Sequence, residues 1–145
     1  MRRGARVPLR HGTASVVVGA VALLALTLSG CGADVERTEA ARTADAFSAA
    51  ATSEPGAACR LLAPRTLDAV EEDGTPCAQA LAEAGLAPAG EGSSVTVAGH
   101  SAQVRYADDT VFLARFDDGW RVTAAGCERV STDDAVPYDC VVDGG

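Results

Sequence analysis

The chain of 145 residues carries 12 arginines, no lysine and 20 acidic residues, for a formal net charge of −8 and an isoelectric point near 4.6. Arg2, Arg3, Arg6 and Arg10 fall in a head with no acidic residue, so beyond residue 30 eight arginines face all 20 carboxylates and the charge is −12. That excess argues against nucleic acid as a partner and against adhesion to anionic lipid through the protein surface.

The basic head runs into "ASVVVGAVALLALTL" (residues 14–28), an uncharged stretch of 15 residues. It is shorter than the roughly 20 residues that cross a bilayer comfortably as a helix. A basic head, a short apolar core and small residues at a cut site are the grammar of a secretory signal peptide. The sequence Leu28-Ser29-Gly30-Cys31 that follows resembles the lipobox of bacterial lipoproteins. The resemblance implies that residues 1–30 are removed and that Cys31 receives a diacylglycerol on its sulfur and heads the mature chain. Two acyl chains of the palmitate kind, at about 0.8 kcal/mol per buried methylene, hold stably where one is marginal. The expected layout is a signal peptide (1–30), a lipidated cysteine with a short tether (31–33) and one extracytoplasmic domain (34–145) on the cell membrane. At that length the domain can bury an ordinary core.

"DVERTEAARTADAFSAAA" (34–51) repeats Val35, Ala40, Ala44, Phe47 and Ala51 at three- to five-residue intervals and predicts an amphipathic helix, with Asp34 as its N-cap. Glu36 and Glu39 then complement the positive end of the helix dipole. "AACRLLA" (57–63) predicts a short second helix stopped by Pro64, and "RTLDAVEEDG" a third closed by Gly74. A fourth, "CAQALAEAG", follows Thr75-Pro76, with threonine as cap, proline at the first helical position and Gly85 at the exit.

After "LAPAGEGSS" the period falls to two. Val95 and Val97 alternate with small or polar neighbours, as do Ala102, Val104 and Tyr106, with Gly99-His100 as the turn between them. "TVFLARF" (110–116) is apolar on both faces and predicts a central strand covered on both sides. "DDG" (117–119) is a hairpin signal, and "WRVTAAG" (120–126) returns antiparallel to it. Helices first and strands afterwards predict an α+β domain, its helices packed on a four-strand antiparallel meander.

Four cysteines remain beyond Cys31. An even number in an exported chain points to disulfides, and three pairings are open. Closure of a local loop within each half favours Cys59 with Cys77 and Cys127 with Cys140. Zinc is disfavoured, because no two cysteines stand two to four residues apart and His100 is the one histidine of the mature chain.

"ACRLLAPRT" (58–66), "CAQAL" (77–81), "WRVTAAGC" (120–127) and "PYDC" (137–140) with the "DGG" after it resemble a group of small actinobacterial lipoproteins of unassigned function. The resemblance implies an address and a disulfide plan, and no activity. The order of helices then sheet is also similar to the cone-shaped cystatin-like and nuclear-transport-factor-like folds.

No phosphate loop or dinucleotide fingerprint is present, and no metal or cofactor is expected. His100 sits in a predicted turn and makes no triad. The adjacent acids Glu71-Glu72-Asp73, Asp108-Asp109, Asp117-Asp118 and Asp133-Asp134 lack the every-second-position spacing of a calcium loop. Arg105, Arg115 and Arg121, on neighbouring strands, are candidates for an anion or ligand patch, set against a solvated sheet face with salt bridges. Tyr138 is expected to pack the second disulfide loop. The sequence thus favours a non-catalytic binding module for an extracytoplasmic protein or small ligand. The alternative is a small enzyme with a pocket between the sheet and the first helix.

Overall fold

The computed structural model describes residues 30–132 and 138–145. Its contacts divide the chain into two units, Met1–Gly32 and Ala33–Gly145, and the account below concerns the second. Residues 1–29, all but the last of the expected signal peptide, and the pair Asp133-Asp134 lie outside the described residues. Among the described residues no helix is long and apolar enough to cross a membrane.

Four helices, α1 (Gly30–Ser53), α2 (Pro55–Cys59), α3 (Pro64–Val70) and α4 (Cys77–Ala84), precede five strands. The strands are β1 (Ser94–Ala98), β2 (Ser101–Arg105), β3 (Thr110–Phe116), β4 (Gly119–Arg129) and β5 (Tyr138–Asp143). They form one antiparallel sheet in the order β1-β2-β3-β4-β5. The α+β architecture is as the change of period predicts, but the meander has five strands. In β5, "YDCVVD", Asp139 and Asp143 and the proline before it obscured the alternation.

Helix α1 begins at Gly30, so Asp34 is no cap. Its carbonyl accepts from the Thr38 hydroxyl at 2.8 Å, and its carboxylate takes Arg37 at 3.0 Å. Glu36 and Glu39 lie beyond the first turn and serve the sheet rather than the dipole, both reaching Arg115 on β3. Ala40, Ala44, Phe47 and Ala51 make the buried stripe, whereas Val35, first in the predicted stripe, is 54% exposed. Tyr106, just past β2, donates its hydroxyl to Asp45 of α1 at 2.6 Å and fixes the helix over the sheet.

The stripe packs with Ala102, Val104, Val111, Leu113, Trp120, Val122, Ala125 and Val142 from the sheet, Ala58, Cys77 and Leu81 from the shorter helices, and Leu62 from the segment between α2 and α3. The predicted second helix stops early, at Cys59. Leu61–Ala63 instead runs parallel beside β4: the Val122 amide donates to Leu61 at 2.8 Å and the Ala63 amide to Val122 at 2.7 Å. Pro64 then opens α3 rather than merely ending its predecessor. Thr75 does not cap α4; Pro76 holds that position, and Glu71 accepts the Cys77 amide at 3.0 Å. Gly85 leaves α4 in the left-handed conformation, which glycine adopts without strain.

Two disulfides cross-link the fold, Cys59–Cys77 between α2 and the start of α4 and Cys127–Cys140 between directly opposed residues of β4 and β5. In the chain-entropy picture loops of this size contribute about 3 kcal/mol each, a large share of an ordinary domain stability of about 5–15 kcal/mol.

Phe47 is the one bulky side chain that α1 sends into the core, and it is 1% exposed. Phe47→Ala should therefore cost about 3–5 kcal/mol. Urea unfolding followed by Trp120 fluorescence measures it; a loss under 1 kcal/mol would mean that α1 does not close the core.

Candidate functional site

Of the three candidate arginines, Arg115 and Arg121 reach one cleft from different faces of the sheet and Arg105 stands apart from it. Ladder partners lie on the same side of a sheet, so Arg115, opposite Trp120, shares the face of Leu113 and Val122 that meets the helices. Arg121, opposite Ala114, points to the other face, as does Arg105 in register with Thr110. Arg115 is held by Glu36 and Glu39 and lies 5.8 Å above the Trp120 ring. Arg121 is paired with Asp118 and donates to the Arg60 carbonyl at 2.5 Å, while Arg60 itself donates to Gly56 at 3.1 Å. The cleft where Arg42, Arg60, Arg115 and Arg121 converge is balanced by Glu36, Glu39, Asp117 and Asp118. It offers an incoming anion no net attraction.

The acidic runs within the described residues lie at turns and caps. Asp117-Asp118 makes the β3–β4 turn, and Asp109 accepts the Cys127 amide at 2.9 Å together with the amides of Thr110 and Gly126. The reason lies in β4. Phe112 opposes Ala124 whereas Leu113 opposes Val122, so Thr123 is an extra residue, a β-bulge. Three residues on, Gly126 adopts φ +66°, where an added Cβ would stand 2.7 Å from Leu86 and 2.9 Å from Val141. The ladder past Ala124 is thus irregular, and the Asp109 carboxylate supplies acceptors that strand backbone would otherwise provide. His100 occupies the exposed β1–β2 turn, as expected. Among the described residues no group of three or more His, Cys, Asp or Glu is placed to hold a metal.

The centre of the space between the sheet and α1, where an enzyme pocket was the alternative expectation, is filled by Phe47, Leu113, Trp120 and Val122, and the charge-balanced cleft between α1 and the β3–β4 end remains open at its edge. The apolar cleft lies elsewhere. On the opposite face Phe112, Phe116, Ala124, Tyr138 and Cys140 floor a groove of about 610 Å³, within the size of ordinary ligand sites. Ala63–Thr66 forms one wall, and Asp143, Gly144 and Gly145 lie beside it. The Thr123 carbonyl, exposed by the bulge, ties both together: it accepts from the Thr66 hydroxyl at 3.1 Å and from the Gly144 amide at 3.1 Å. Gly144 is tight against Thr66, since a Cβ there would stand 2.5 Å from the hydroxyl oxygen.

Tyr138 belongs to this groove and to more than the disulfide loop. Its ring meets Phe112 edge-on at 5.0 Å, Gln103 donates to its hydroxyl at 2.8 Å and Arg129 lies 5.1 Å over the ring. Phe116 is 39% exposed. The expectation that "TVFLARF" is covered on both faces is thereby corrected, because its Phe112 and Phe116 side floors an open groove. The double-sided apolarity of that strand was the signal in the sequence; the bulge and the Leu61–Ala63 bridge that build the walls gave none.

Comparison of the chain with protein-family models, curated proteins and solved structures returned no match in any of the three. The site is therefore argued from its geometry.

Burial raises the carboxyl of Asp109 above its ordinary value of 3.8, against the lowering by the amides of Cys127, Thr110 and Gly126. A raised folded-state value means that ionisation disfavours the fold: the penalty is absent below 3.8 and fully present above the folded value. The stability of wild type relative to Asp109→Asn should thus fall as pH rises from about 3 to 6. Denaturation midpoints across that range check it; a difference that rises with pH would reverse the assignment.

Proposed function

We propose that this chain is a membrane-anchored extracytoplasmic lipoprotein whose domain is a non-catalytic binding module. The observation that carries the address is Cys31, placed after Leu28-Ser29-Gly30 at the end of a basic head and a short apolar run. Two disulfides accord with an oxidising location. Binding is supported by the groove floored by Phe112, Phe116 and Tyr138: it is apolar, open, and bordered by Arg65 and Asp143 as polar groups able to orient an apolar ligand or a segment of a partner protein. A filled interior and turn-bound acids favour this reading over the enzyme. The likeness of helix-then-sheet order to cone-shaped cystatin-like folds belongs to the same proposal and adds nothing on activity, since such folds serve many functions.

Metabolic labelling with a clickable fatty acid in an actinobacterial host tests the anchor. Wild type should label and Cys31→Ser should not; equal labelling of the two would overturn it.

A photo-reactive phenylalanine analogue at Phe116, compared with one at the exposed Val35, tests the groove. On intact cells the first should yield discrete adducts and the second none. Adducts of equal yield and identity at both positions would show that binding is not at the groove.

A further inference from the structure

We propose that two copies of this chain pair edge to edge through β1, joining their sheets into one continuous antiparallel sheet about a two-fold axis at Thr96. The inference is separate from the anchor and from the groove, and it rests on backbone geometry and charge.

β1 is an outer strand of the sheet, and among the described residues nothing pairs with its free edge. Ala98 and Ser101 flank the two-residue turn Gly99-His100, so that pair and Thr96–Gln103 exchange hydrogen bonds within the hairpin. The amides and carbonyls of Val95 and Val97 alternate with these and point outward from the sheet. A free edge of this kind is a template for another strand, and proteins usually blunt it with charge or proline. "SVTVA" contains neither.

What fits this edge is a second copy of it. In an antiparallel pair centred on Thr96, Val95 of one copy lies opposite Val97 of the other, and each such pair exchanges two N–H···O bonds. Ser94 falls opposite Ala98, and Thr96 faces its own counterpart in a non-hydrogen-bonded pair, where Cα atoms approach to about 4.5 Å. The two half-buried valines of each copy lie on the face already packed against the core, so pairing covers apolar surface that a lone domain leaves partly open. No charge meets a like charge along the strand.

The other outer strand is built differently. Self-pairing of β5 about the exposed Val141 would put Asp139 of each copy opposite Asp143 of the other, and like charges directly opposed are destabilising. The fold therefore protects one edge with carboxylates and leaves the other bare. An isologous contact on the bare edge closes at two copies, because each has one such strand to offer. The net charge of −12 on each domain opposes association at long range, so pairing strengthens as salt screens it.

Single cysteines in the full chain, purified in detergent, test the register. Thr96→Cys and Ala98→Cys are both exposed positions on β1. In the proposed pair the two residues 96 lie close enough for a disulfide, whereas the two residues 98 stand about 13 Å apart at roughly 3.3 Å per residue. Mild oxidation should give at least tenfold more covalent dimer with Thr96→Cys than with Ala98→Cys, after subtraction of any wild-type background from Cys31. Equal yields, or none at position 96, would overturn the proposal. Sedimentation of the wild-type chain should show a dimer whose dissociation constant falls as salt rises and which Thr96→Glu weakens at least tenfold. A wild-type chain that stays monomeric at millimolar concentration, or a Thr96→Glu variant that dimerises as well, would also overturn it.

Discussion

The two backbone hydrogen bonds between Val122 and the segment Leu61–Ala63 connect the helical half of this domain to its sheet. β4 is longer than its neighbours, and β5 covers only part of its outer edge, from Ala124 onward. The uncovered part would carry unpaired polar backbone beside a hydrophobic core, which is costly. Leu61–Ala63 satisfies it. By doing so it ends α2, turns the chain into α3, and sets Leu62 into the core. The Cys59–Cys77 bond then carries the same positioning across to α4.

The groove inherits its shape from this arrangement. Its wall begins at Ala63, the residue whose amide completes the bridge, and its floor includes Ala124, next to the bulged Thr123. One carbonyl, that of Thr123, receives both the α3 hydroxyl and the Gly144 amide because the bulge releases it from β3. Strand, helix and the residues after β5 meet at one atom. The site is a by-product of how an irregular strand satisfies its backbone, and no catalytic pattern of side chains is needed to explain it.

Much of the fold is legible in the sequence for identifiable reasons. The stripe Ala40, Ala44, Phe47 and Ala51 has helical spacing, Gly85 marks a helix exit, and the turns at Gly99-His100 and Asp117-Asp118 separate alternating runs. What escaped depends on contacts between distant residues. "RLLA" has the composition of a helix and becomes a sheet edge because Val122 needs partners. "YDCVVD" reads as a loop because aspartates interrupt it, and becomes a strand because Cys140 faces Cys127. The arginines were correctly placed on strands, but which face each occupies, and that Glu36 and Glu39 of α1 reach Arg115, follows only from the packed geometry. For Asp34, a good N-cap residue, the helix runs on backward to Gly30 through Gly-Cys-Gly-Ala, for which helix propensity gives no reason.

Synthesis proceeds from the N-terminus, so the helical segments, three of them too short to be stable alone, are present before the strand they dock against. Leu61–Ala63 cannot find Val122 until β3 and β4 have formed, and closing so long a loop is slow compared with the neighbouring hairpins. In a chain that reaches an oxidising space N-terminus first, Cys59 and Cys77 can join before the other two arrive, and Cys127 then finds Cys140. Beyond Cys31 each cysteine is bonded to its neighbour in the sequence, so the correct partner is also the nearest one along the chain, and the long-range bridge at Val122 joins two halves that are each already crosslinked within themselves.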